Sequence, residues 1–135
     1  MTVFIDTSAW SLALRRDIIP GHIVAQTFRR VFETNQSVAS TGLVLQELLQ
    51  GFSGPKNQAT IAEHFKHIDL LVPSPTDHIE AAKLRNLCRK NGVQLGTIDA
   101  LIASLCLRND FELLTADKDF PFAARHTPLR LCVQP

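Results

Sequence analysis

Long apolar runs are missing from this chain. No stretch approaches the roughly 18 residues a membrane-crossing helix needs, and no basic segment precedes an apolar one at the N-terminus. The expectation is a cytoplasmic protein with neither a membrane span nor a secretion signal. Cysteine is scarce as well. Cys88, Cys106 and Cys132 are odd in number and show no C-x-x-C spacing. Reduced thiols among apolar neighbours are expected, rather than disulfides or a zinc site. His64 and His67 stand three apart with no third nitrogen or sulfur ligand nearby, which favours a solvated helix face. Neither G-x-x-x-x-G-K-[ST] nor G-x-G-x-x-G occurs, so nucleotide hydrolysis of the P-loop type is excluded. No Ser-His or Cys-His pairing offers a nucleophile, and there is no repeat, low-complexity tract or linker.

What is present is an alternation of strands and helices along 135 residues, enough for one core. Val3-Phe4-Ile5 reads as a strand, followed by a helix capped by Thr7 or Ser8. A second helix is expected over 22–34, with Ile23, Val24, Thr27, Phe28 and Val31 as its apolar stripe. Short strands follow at 37–40 and 68–72, with helices over 43–51 and 56–67 between them. Ser74-Pro75-Thr76-Asp77 is a strong helix start, and that helix runs to Lys90 before Asn91-Gly92. Thr97 is the expected cap of a helix to Asn109. Residues 111–115 read as a buried strand, Pro121 and Pro128 as brackets of a surface segment, and 129–133 as an edge strand. The class is α/β, a parallel sheet of about five strands covered by helices on both faces.

Acids sit where such a sheet forms its sites, at the carboxyl ends of strands. The first strand ends at Asp6. Strand 111–115 runs into Ala116-Asp117-Lys118-Asp119, and Asp99 lies in the first turn of its helix. A lone first-turn aspartate only stabilises its helix; two strand ends and a helix start that all carry acids make a candidate cluster. Glu47 stays open: periodicity allows the polar face with Gln46 and Gln50, or a projection onto the mouth of the sheet. Clustered carboxylates repel, and a divalent cation removes the conflict; an all-oxygen set selects Mg²⁺ or Mn²⁺. Setting aside Asp6, Glu47, Asp99, Asp117 and Asp119 leaves 8 acidic residues against 14 basic ones. The rest of the surface is then basic, with Arg15-Arg16, Arg29-Arg30, Arg85 and Arg89-Lys90 as candidate phosphate contacts.

Four segments, Phe4–Trp10, Leu45–Gly51, Thr97–Ala103 and Leu114–Phe120, resemble in order the four acidic motifs of the PIN domain, and in particular those of VapC toxins of type II toxin–antitoxin pairs. The resemblance spans residues 4–120 and implies a single PIN domain over 1–135. It implies a Mg²⁺-dependent endoribonuclease in which Asp6, Glu47, Asp99 and Asp117 are catalytic. Asp6, Asp99 and Asp117 would hold the metal, and Glu47 would act directly or through a metal-bound water. Thr7 and Thr115 would orient carboxylates, with Asp119 a fifth acid beside them. It implies a homodimer, an RNA substrate and a VapB-like antitoxin laid over the site, with Trp10, Phe28, Phe32 and Phe52 as candidate groove walls; ordinary core is the competing reading of these aromatics and the favoured one for Phe28. Two other readings differ in class: a receiver-type phosphoacceptor module, for which Lys118 is the only candidate lysine, and a catalytically silent nucleic-acid-binding domain.

Overall fold

The computed structural model describes residues 1–15 and 21–133. Five strands, β1 (Val3–Ile5), β2 (Val38–Thr41), β3 (Asp69–Leu71), β4 (Glu112–Leu114) and β5 (Arg130–Leu131), form one sheet in the order β3-β2-β1-β4-β5. Every pairing is parallel. All three residues of β1 and all four of β2 are buried. Successive strand side chains point to opposite faces, so both faces of the sheet centre are covered. Seven helices among the described residues do the covering: α1 (Thr7–Leu14), α2 (Ile23–Glu33), α3 (Gly42–Gly51), α4 (Pro55–Phe65), α5 (Pro75–Lys90), α6 (Thr97–Asn109) and α7 (Asp119–Ala124).

The order places β1 at the centre. The chain builds β2 and β3 on one side of it, then returns through α5 and α6 to place β4 and β5 on the other. The switch point therefore lies between β1 and β4, where a parallel sheet opens a crevice at its carboxyl edge.

Several local expectations are corrected. The cap of α1 is Asp6, one residue ahead of Thr7 and Ser8: its Oδ1 accepts the Ala9 N–H at 2.9 Å. An aspartate that ends a strand is already placed to cap the helix that follows. Gly96, not Thr97, is the N-cap of α6, and no side chain caps that helix. Helix α2 spans Ile23–Glu33, with His22 as cap; Ile23 is exposed, and Ala25 takes its place in the buried stripe. Pro55 is the first residue of α4 rather than part of a loop. Between Pro121 and Pro128 the expected surface segment contains much of α7, which anchors Phe120 and Ala123 in the core. Arg16 and Pro20 lie outside the described residues.

The core is aromatic on one side. Trp10 is fully buried, with Phe28, Phe32, Phe65 and His64 around its ring at centroid distances of 4.9 to 5.7 Å. Trp10 is therefore core and not a groove wall, while Phe28, Phe32 and Phe52 are partly buried against the core. Truncating such a residue costs about 3–5 kcal/mol. His64 is half-buried in this cluster, contrary to the solvated face expected, and burial holds its imidazole below the usual range. Its neighbour His67 is exposed beside Glu63. Burial pushes the Cys88 and Cys106 thiols up and Cys132 up to about 12, as inert free cysteines.

Candidate active site

The register of β1 against β4 builds the site. Ile5 is level with Leu114, so the next residues, Asp6 and Thr115, emerge side by side at the carboxyl edge. The Asp6 N–H donates to the Leu114 carbonyl at 3.2 Å. Thr115 is fully buried, and its hydroxyl donates to Asp6 Oδ2 at 2.5 Å. The Ser8 hydroxyl donates to Asp6 Oδ1 at 2.7 Å and accepts the Ala116 N–H at 2.9 Å. Both oxygens of Asp6 are thereby held, one by α1 and one by the end of β4. From sequence Ser8 was expected only as a helix cap and not as a site residue; the signal was its place two residues after a strand-ending acid.

Glu47 takes the second of its two readings. It lies on the exposed side of α3 yet reaches the crevice, where the Thr7 hydroxyl donates to its Oε1 at 2.8 Å. Asp117 follows Thr115, whose Oγ1 accepts the Asp117 N–H at 3.0 Å, and Asp117 Oδ1 accepts the Asp119 N–H at 2.9 Å. Asp119 is the exposed first residue of α7. Asp99 enters from the start of α6, near Gly96.

The electrostatics show that these acids share one field. Burial pushes the Asp99 carboxyl up, and the charges of Asp117, Asp6, Glu47 and Asp119 push it further, to about 6. Asp6 is also raised, by burial first, with Asp117 adding to it and the bonds from Thr115, Ala9 and Ser8 opposing. The structure thus brings together all five acids expected from sequence, with Thr7 and Thr115 bonded to them. Two of the basic candidates are engaged elsewhere. The Arg85 Nε donates to the Leu95 carbonyl at 2.9 Å, fixing the approach to α6, and Arg89 bonds Asn86.

The donor set suits a hard divalent cation, because every side chain offering itself is a carboxylate or a hydroxyl. No three histidine, cysteine or acidic side chains among the described residues close into a ready-made ligand cage. That is compatible with Mg²⁺, which keeps several waters and takes only one or two carboxylates.

Comparison with known proteins agrees with this geometry. The family model described as PIN domain matches residues 3–125. The VapC ribonuclease Mb1587 of Mycobacterium bovis is 30% identical over 131 residues, covering 95% of this chain and 96% of that protein. Among solved structures, VapBC2 from Rickettsia felis, bound to a promoter DNA fragment, superposes with a TM-score of 0.74 at 22% identity over 97% of both chains. VapC20 of Mycobacterium tuberculosis, a toxin that cleaves the sarcin-ricin loop, gives 0.65 at 20% identity, covering 95% of this chain and 98% of that one. An acid-lined crevice at the β1/β4 switch point, a family match over nearly the whole length and a full-length VapC relative lead to one placement: the chain belongs to the PIN-domain family, among its VapC ribonucleases.

Proposed function

We propose that the protein is a divalent-metal-dependent endoribonuclease, the toxin of a VapBC-type pair, with its chemistry at Asp6, Glu47, Asp99 and Asp117. The observation that carries this reading is the acid-lined carboxyl edge of β1 and β4, where the Thr115 hydroxyl joins Asp6 to Asp117 and where burial and four other acids push the Asp99 carboxyl up to about 6. Such a site holds its negative charge comfortably only with a cation present. Asp6, Asp99 and Asp117 are the residues that would hold Mg²⁺, or Mn²⁺ in its place. A bound cation supplies charge neutralisation at the phosphoryl oxygens and lowers the pKa of a water for in-line attack.

The chain's own residues do the rest. Thr115 and Ser8 each donate to one oxygen of Asp6 and so fix the orientation of its carboxylate. Thr7 does the same for Glu47, which would take the proton from the attacking water. Asp117 is held through the Thr115 hydroxyl, which ties the two strand-end acids into one unit. The basic residues outside the cluster attract the RNA backbone, and loops or unpaired segments are the expected targets, because side chains cannot read the deep groove of an RNA duplex.

By analogy with VapBC relatives crystallised as complexes, a VapB-like antitoxin is the partner of this chain; the family resemblance adds that it covers the site and that the toxin pairs as a homodimer. The receiver-type alternative finds no support, since Lys118, its only candidate lysine, is the exposed cap of α7.

The test is cleavage of structured total RNA by antitoxin-free protein with Mg²⁺, with EDTA, and with Asp99→Asn. Cleavage at a few positions that vanishes in both controls supports the reading. Cleavage that survives both removes it.

A further inference from the structure

A second cleft, of about 410 Å³, opens between the loop at residues 91–94 and α7. Its walls differ in chemistry from the acid crevice. Phe122 projects from α7 with 47% of its surface exposed, so one aromatic face is open to a ligand. The Arg125 guanidinium lies over that ring, 5.1 Å from its centroid, and pairs with no carboxylate among the described residues. His126 continues the same wall, and across the cleft Asn91 and Gln94 offer side-chain amides that can both donate and accept.

Both walls lead to the acids. Asp119 lines the cleft, and its N–H is bonded to Asp117. Gln94 lies two residues before Gly96, where α6 and Asp99 begin. A strand whose phosphate sits at the acids can therefore place a neighbouring nucleotide in the cleft. An exposed aromatic face, a stacked guanidinium and amides at the rim are the parts that hold an unpaired base and its phosphate.

We propose that this cleft is a nucleobase subsite: one unpaired base of the RNA stacks on Phe122, Arg125 meets the adjoining phosphate, and Asn91 and Gln94 face the base edge. This rests on the ribonuclease reading above and adds to it a place where substrate choice is made.

The test is designed to fail separately from that reading. Binding of a short, unstructured, fluorescein-labelled RNA is measured by anisotropy in an Asp99→Asn background, with Mg²⁺, so that cleavage does not interfere. Phe122→Leu preserves apolar bulk but not the aromatic face. It should raise Kd on the order of tenfold, whereas Phe122→Tyr should stay within about twofold of the parent. Arg125→Gln should weaken binding and reduce the salt slope by about one ion. With the acids intact, Phe122→Leu should raise KM and leave kcat within about twofold. Thermal unfolding run beside each variant reports its fold. Equal weakening by Leu and Tyr would make Phe122 structural and overturn the proposal. Unchanged affinity in Phe122→Leu would also overturn it and would leave the cleft to a protein partner. Neither outcome touches the EDTA and Asp99→Asn arms, whose failure would remove the nuclease reading instead.

Discussion

Two aspartates occupy the same position in successive helices and meet opposite fates. Asp77 is the third residue of α5 and Asp99 the third of α6. Asp77 is only 1% exposed, and its hydrogen-bond partners outweigh the burial that opposes its charge. Its Oδ2 accepts the Ser74 N–H at 2.8 Å in a complete capping box, and its Oδ1 accepts from Arg108 at 2.6 Å. These bonds, the backbone one first, hold its carboxyl below the usual range. Asp99 has no capping box, no cation paired with it among the described residues, and four acidic neighbours, and it is pushed to about 6. The two helices pack antiparallel: Arg108 near the end of α6 reaches the start of α5, and Arg85 of α5 holds the carbonyl of Leu95 ahead of α6. The satisfied aspartate thus fastens the helix that presents the unsatisfied one. Local helix chemistry and one ion pair with Arg108 account for Asp77; they do not account for Asp99, whose unmet charge makes it a candidate for the functional site.

The comparison can be broken in order of expected effect. Asp99→Asn should lower RNA cleavage by on the order of 10²–10³-fold, the scale for losing one preorganised charge-stabilising group, measured as initial rate on a labelled RNA. Asp77→Asn should leave cleavage per folded molecule near that of the parent and lower the thermal midpoint, because Arg108 and Ser74 lose their anionic partner. Thr115→Val removes the hydroxyl that joins Asp6 to Asp117. Loss of such an orienting partner costs about 10–100-fold in activity or metal affinity, read as the Mg²⁺ concentration at half-maximal rate.

The smallest effect is in stability, and its sign separates the two acids. The folded pKa of Asp99 lies above its ordinary 3.8, so the fold favours the protonated form, and the cost of charging it grows as pH rises from there to about 6. Asp99→Asn should therefore stabilise the metal-free protein near neutral pH. The gain is about 1 kcal/mol after allowance for solvent screening, or about 3 °C in Tm, and it should vanish in acid. Asp77 runs the other way: its contribution is present above 3.8 and is lost as pH falls through its lowered value. Scanning Tm against pH for both Asn variants checks the two signs together.

The same pair shows what was legible beforehand. Ser74-Pro75-Thr76-Asp77 could be read as a helix start because all its partners but Arg108 lie within four residues. The alternation of elements and the buried β1 were readable from apolar runs, and five parallel strands follow from them. Glu47 stayed ambiguous because its decisive partner, Thr7, is 40 residues away. Asp6 was expected in the site but not as a helix cap, since a strand-ending acid gives no period to read. Ala123 was placed on the surface because two prolines mask a short helix whose burial depends wholly on tertiary packing. Ser8 and the cleft beside Phe122 depend on the junctions between distant segments, which no local pattern carries.

In the proposed site the charge unsatisfied at Asp99 is satisfied by a divalent cation. Calorimetric titration of Mg²⁺ into the parent, Asp99→Asn and Asp77→Asn proteins, in buffers of differing ionisation heat, measures this directly. At a pH of about 6 the parent should bind Mg²⁺ and release about half a proton, since Asp99 is then about half protonated. Asp77→Asn should match it, and Asp99→Asn should bind far more weakly and release none. Equal binding and equal proton release in all three proteins would contradict the claim and place any cation elsewhere.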